Sequence, residues 1–197
     1  MRLERLVLGS GSPRRLELLR SLGLQVDVVR SGYDEPPFEH LTPAELASYH
    51  AREKLAGVLR KLGASPGLPV LTADTVVDLD GTAFGKPGDA AEATRMLEAL
   101  SGREHAVHTA FALATPNGSE EERLTTRVRF YPLEPEEIAE YVATGEPFDK
   151  AGAYGIQGRA ASLVEAIEGD FYTVMGLPLA RVVRTLRRLG FALPAPK

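Results

Sequence analysis

The sequence predicts an α/β fold: an elongated mixed sheet flanked by helices. Strand-like and helix-like segments alternate through the first half of the chain. A meander of strands with Asp-Gly and Asn-Gly turns follows, so a mixed sheet fits better than a purely parallel, doubly wound one. The chain also has 197 residues, 44% of them hydrophobic, enough to bury a real core in one or two domains. Pro66 to Pro69 is short enough to be an ordinary loop, so residues 1–197 read as a single domain.

Arg5 to Gly9 is a short apolar run bounded by glycine and serine and reads as a buried strand. Ser12-Pro13 supplies an N-cap and a proline at the first helical position. Leu16, Leu18, Leu19 and Leu22 form the apolar face of that helix, and Gly23 ends it. Val26 to Val29 is a second strand, and Ser31 to His40 is a polar, proline-rich loop. Thr42-Pro43-Ala44-Glu45 opens a helix with a capping box, running toward Leu62.

Val70 to Leu79 reads as a strand that turns at Asp80-Gly81. Asp89 and Glu92 start a helix to Leu100. Ala106 to Ala114 and Leu124 to Phe130 are strands on either side of Asn117-Gly118. Glu136 to Val142 is a short helix, Glu146 to Gly158 is irregular, and Ser162 to Ile167 is a further strand. Leu177 to Leu189 is a last amphipathic helix with Arg184, Arg187 and Arg188 toward its C-terminus, where the dipole favours cations.

The formal net charge is −4, without the basic surplus of a nucleic-acid binder. There is no cysteine, which excludes disulfides, thiolate catalysis and Cys-based zinc sites. The N-terminus lacks the features of a signal peptide, and no stretch approaches the roughly 18 apolar residues of a membrane span. The expectation is a cytoplasmic protein with neither a nucleic-acid nor a membrane partner.

Several segments carry candidate chemistry. Gly9-Ser10-Gly11-Ser12-Pro13-Arg14-Arg15 runs from a strand end into a helix start. Its glycines let amides turn toward an anion, the helix N-terminus adds partial positive charge, and the arginines bring forked donors suited to phosphate. It is neither a Walker A loop nor a dinucleotide fingerprint, and a plain strand–turn–helix connection is the alternative. In Thr72-Ala73-Asp74-Thr75-Val76-Val77 an aspartate sits in an apolar strand. If that strand is interior, the carboxylate needs a cation, a metal or a catalytic duty. Lys86, held out of a helix by Pro87, and Lys54 can reach a phosphate; Asp34-Glu35 can help hold a divalent cation, or be plain surface charge. Gln157, in a glycine-rich segment from Asp149 to Gly158, can donate to one base atom and accept from the next, which suits a uracil or thymine edge. Asp78-Leu79-Asp80-Gly81-Thr82 matches the aspartyl-nucleophile motif of haloacid-dehalogenase-like phosphatases and is kept as an alternative. His40, His50, His105 and His108 form no metal-like pattern; His105 and His108, at odd spacing on one strand, point to opposite faces.

Over nearly its whole length the chain resembles the Maf-like nucleoside triphosphate pyrophosphatases. The matching segments are Leu8 to Arg15 with Glu17-Leu18-Leu19, Ala73 to Val77 through Asp80-Gly81 to Gly85-Lys86-Pro87, Leu100 to Arg103 with His105, Lys150 to Gly158, and Gly169-Asp170-Phe171 through Val174 to Pro178. The resemblance implies two lobes around a central cleft, a homodimer, and hydrolysis of a small-molecule nucleotide substrate to its monophosphate and pyrophosphate. Asp74 would be the proton acceptor. Ser12, Arg14, Arg15, Lys54 and Lys86 would hold the phosphates. Glu35 and Asp74 would hold a divalent metal, Mg²⁺ or else Mn²⁺. Thr75 and Gln157 match the branch acting on dTTP and UTP rather than N7-methyl-GTP, and Arg14 is also linked to specificity. Gly9 departs from the family, where alanine is commoner. A non-enzymatic alternative also comes with the resemblance: a regulatory nucleotide-binding protein linked to septum formation.

Overall fold

The computed structural model describes residues 1–36, 38, 40–63 and 67–194; Pro66, the start of the expected Pro66 to Pro69 loop, lies outside them. The apolar run near the N-terminus forms β1 (Arg5–Leu8), and the Ser12 cap with Pro13 starts α1 (Pro13–Ser21). β2 (Gln25–Val28) follows, then α2 (Pro43–Leu62), whose Thr42 and Glu45 form the expected capping box. The Val70–Leu79 run is β3, turning at Asp80-Gly81 into β4 (Thr82–Phe84). Both turn residues have positive φ, 53° and 83°, as a tight two-residue hairpin requires. α3 (Ala90–Leu100), β5 (Glu104–Thr115), β6 (Gly118–Phe130) and α4 (Pro135–Ala143) come next. Three 3-10 turns lead to β7 (Val164–Glu168), α5 (Phe171–Met175) and α6 (Leu179–Arg188).

The seven strands make one mixed sheet in the order β2-β1-β3-β5-β6-β7, with β4 also paired to β3. β1 runs parallel to β2 and β3; the remaining pairs are antiparallel. Along one edge of β3 the partner changes. β1 pairs with Val70 and Leu71, and β4 pairs with Val77, Asp78 and Leu79. Between them neither strand covers the stretch around Asp74, so the sheet splits there on that side.

The core divides at the same place. Leu6, Leu8, Leu71, Ala73, Phe111 and Leu113 pack with α1 and α6 in one cluster. Val77, Leu79, Val107, Val128 and Phe130 pack with α3 and α4 in another. α2 covers the opposite face through Ala47 and Ala51 against Val76, Ala110 and Ala112. Asp74 and Thr75 lie between Ala73 of the first cluster and Val77 of the second.

Two elements differ from expectation. β6 begins at Gly118 rather than Leu124 and takes in the acidic run Glu120-Glu121-Glu122. Their carboxylates are neutralised by Arg188 and Arg52, at 2.6 Å for Glu120 and 3.3 Å for Glu121, with Arg181 and Arg188 on Glu122. α5 is a five-residue helix too short for periodicity to show. It is held by its Asp170 cap, which accepts from Thr173 N at 2.7 Å, and by Gly176 at φ 103°.

Candidate active site

The split in the sheet opens into a cleft of about 740 Å³. Its lining includes Ser12, Arg14, Arg15, Glu35, Lys54, Asp74, Thr75, Lys86 and Gln157, but not Asp34, the acidic neighbour of Glu35. At the floor, the side chain of Asp74 is 7% exposed, and Lys54 from α2 places its ammonium 2.6 Å from Asp74 Oδ1. The same ammonium lies 2.7 Å from Glu35 Oε1. One buried cation therefore serves two carboxylates, which answers the charge problem of an aspartate in an apolar strand. Burial pushes the Glu35 carboxyl up, but Lys54, by charge and hydrogen bond, with Lys86 and His50 beyond, outweighs it and holds the group below its ordinary value. Asp74 Oδ2 accepts no hydrogen bond from the described residues.

The arginines divide their work. Arg14 is part-exposed and pairs with Asp149 at 3.1 Å across the cleft. Arg15 is buried and tied down. Its Nε donates to the Gly176 carbonyl at 2.7 Å, one terminal nitrogen to the Ala73 carbonyl at 2.8 Å and Ser10 Oγ at 3.1 Å, and the other to Thr75 Oγ1 at 3.0 Å. Ala73 lies in the stretch of β3 that β1 and β4 leave uncovered, so Arg15 closes a gap in the ladder. Four of its five N–H groups are spent within the protein, leaving one for a ligand. Burial lowers its pKa, partly offset by Asp74 and Glu35.

Ser12 caps α1 by accepting from Arg15 N at 3.5 Å, so its hydroxyl proton stays available. Lys86 is exposed and makes no ion pair among the described residues. Gln157 is exposed at the rim and its amide bonds to none of the described residues.

The Maf-like protein family matches residues 5–189. The chain belongs to that family. A dTTP/UTP pyrophosphatase of Thermus thermophilus is 51% identical over 186 residues, 94% of this chain and 95% of its own. Proteins of the same name from Symbiobacterium thermophilum and Bacillus velezensis are 48% and 45% identical, covering 96% and 95% of this chain and 96% and 97% of theirs. Among solved structures, the Ham1 protein of Staphylococcus aureus aligns with a TM-score of 0.44 and 14% identity over 64% of this chain and 72% of that one, too loose a likeness to carry an argument.

The departure of this Maf member at Gly9 has a steric cause. A Cβ there would meet Thr72 Cγ2 at 2.5 Å and Val58 Cγ2 at 2.7 Å, so alanine does not fit between β3 and α2 as they pack here. The phosphatase alternative is overturned. Asp78 accepts from Gly81 N at 2.7 Å and contacts His108 Nε2 at 3.1 Å, while Asp80 pairs with Arg103 in the hairpin turn. Neither aspartate lines the cleft.

His105 and His108 do lie on opposite faces. His105 Nε2 bonds the Tyr154 hydroxyl at 2.7 Å inside the second core cluster, and burial drives its pKa down to about 4; it is a neutral structural residue. His108 bonds Thr125 at 2.8 Å.

Several cleft residues escaped the sequence reading. His50 and Tyr33 line the cleft and join through Tyr33 OH and His50 Nδ1 at 3.0 Å. Burial lowers the His50 pKa, and burial with nearby Tyr49 and acidic groups pushes Tyr33 up to about 12. The four-residue spacing from His50 to Lys54 puts both on one face of α2, the one signal that pointed there. Arg30 and Asp149 line the same cleft.

Proposed function

We propose that this chain is a nucleoside triphosphate pyrophosphatase that hydrolyses dTTP and UTP, or modified pyrimidine counterparts, to the monophosphate and pyrophosphate. The observation that carries it is the Asp74–Lys54–Glu35 cluster at the floor of a cleft that also presents Arg14 and Lys86. The names of its close full-length relatives support the same reading.

In this reading a triphosphate enters with three to four negative charges. Arg14, Lys86 and Lys54 gather them, with the free N–H of Arg15, the Ser12 hydroxyl and the backbone amides of Ser10 and Gly11, those of Gly9 and Ser12 being bonded to the Leu71 carbonyl and Ser10 Oγ. Lys54 fixes one oxygen of Asp74. The other orients a water and accepts its proton as the water attacks the α-phosphorus. The new oxygen–phosphorus bond forms as the bridge to the β-phosphorus breaks, and pyrophosphate leaves as one unit. Asp74 and Glu35 fit a hard divalent ion, since Mg²⁺ is commonly held by one or two carboxylates together with substrate phosphates, and Mn²⁺ takes the same donors. Bound there, such an ion supplies charge neutralisation and a more acidic water.

The reading extends to a single domain with two lobes, one around each core cluster, and to a cytoplasmic homodimer with no nucleic-acid or membrane partner. No helix among the described residues is long and apolar enough to cross a membrane.

The deciding experiment is product analysis. Purified protein with dTTP and Mg²⁺ is expected to yield dTMP and pyrophosphate in equal amounts. Release of orthophosphate alone, or binding with no turnover, overturns the proposal. Base selection is tested separately at the rim. Gln157→Glu cannot donate to a base carbonyl, so dTTP and UTP use is expected to fall about tenfold relative to GTP. An unchanged preference across a four-nucleotide panel removes Gln157 from base reading.

A further inference from the structure

Two hydroxyls behind the cleft, those of Thr75 and Thr109, carry one proton each, and their neighbours fix where both point. Thr109 Oγ1 donates its one proton to the Thr173 carbonyl at 2.7 Å. Thr75 Oγ1 lies 2.9 Å from Thr109 Oγ1. With the Thr109 proton committed, Thr75 is the donor in that pair. Arg15 in turn donates to Thr75 Oγ1 at 3.0 Å.

A hydroxyl has one proton and two lone pairs. Thr75 sends its proton inward and spends one lone pair on Arg15, so the second lone pair is all it has left. Thr109 and Thr173 are fully buried, where an unmade hydrogen bond is costly and the chain holds its direction. Thr75 lines the cleft. Toward a ligand it is an acceptor and not a donor.

We infer that Thr109 is a positioning residue that fixes the polarity of Thr75, so that the cleft favours pyrimidine bases presenting a ring N–H, uracil and thymine, over cytosine, which presents a lone pair at that nitrogen. The inference rests on the pyrimidine triphosphate reading above and deepens it. Gln157 carries both a donor and an acceptor on a rotatable amide, so it can serve either edge. A lone pair locked by a buried relay cannot, and a cytosine nitrogen facing it is left unpaired and repelled.

The test compares kcat/KM for dTTP and dCTP in the full-length wild type, Thr109→Val and Thr109→Ser, each checked for folding by thermal melt. Valine keeps the volume and removes the acceptor, which frees the Thr75 hydroxyl to rotate and donate. Thr109→Val is expected to lose about tenfold of the dTTP-over-dCTP preference, with Thr109→Ser within about threefold of wild type. In a Thr75→Val background, Thr109→Val is expected to change the ratio no further. An active wild type with an unchanged ratio in Thr109→Val overturns the inference alone. So does a Thr109→Ser as relaxed as Thr109→Val, which marks a packing effect. A wild type that releases no pyrophosphate overturns this inference together with the proposed function. If Thr109→Val fails to fold, Thr109→Cys, whose thiol is a weak donor and acceptor, decides by the same ratios.

Discussion

Asp74→Asn is expected to lower kcat for dTTP by about a thousandfold, the middle of the range for losing a positioned general base, while the melting temperature stays within a few degrees of wild type. The two halves of this prediction come from different atoms. Lys54 bonds Asp74 through Oδ1 at 2.6 Å, and an asparagine carbonyl oxygen accepts the same hydrogen bond. Lys54 also keeps Glu35 at 2.7 Å, so no charge is left unpaired and the fold has no reason to suffer. The lost function is at the other position. A carboxylate Oδ2 takes a proton from water, whereas an amide nitrogen there donates and turns the water the wrong way. Pyrophosphate release under saturating dTTP, beside a thermal melt, reads both halves. A loss of less than about tenfold removes Asp74 from the proton transfer.

What was legible in the sequence was local. Ser12-Pro13 and Thr42-Pro43 mark helix starts because caps act within a turn, and both helices begin there. Asp74 stood out because its neighbours are apolar, and it is buried at the floor of the cleft. What stayed hidden depends on contacts far apart in the chain. Arg15 read as a phosphate ligand from its neighbours alone. Its Nε partner is Gly176, 161 positions away, and nothing near Arg15 in the sequence announces that its fork closes a gap in the β3 ladder. Thr109 is one more polar residue in a strand until β3 and α5 are brought against it. The acidic start of β6 fell outside the strand expected from Leu124, and the arginines that neutralise it lie far off in the chain, on α6 and α2.

Lys54→Met tests the same cluster from the cationic side, and its expected effect on stability is the largest of any change at the site. Lys54 is 11% exposed by its side chain and Asp74 7%, so the substitution leaves a buried carboxylate with no cation and a second one, Glu35, beside it. Breaking a buried pair from one side costs about 3–5 kcal/mol, a fall in melting temperature of roughly 10 °C for a chain of this size. Methionine retains most of the aliphatic volume, so the loss is of charge and not of packing. The pH dependence gives the sign. Glu35 is held below its ordinary 4.5 by Lys54 despite its burial. A carboxyl whose folded-state pKa is depressed stabilises the fold above its unfolded value, and that contribution fades as pH falls through the folded value. Wild type has this contribution and the variant does not. The gap between their melting temperatures is therefore expected to be widest at neutral pH and to narrow below about pH 4.5. Melts of both proteins from neutral pH down into the acid range measure it. A gap that stays constant across that range means Lys54 stabilises by packing, and the charge argument for this site fails with it.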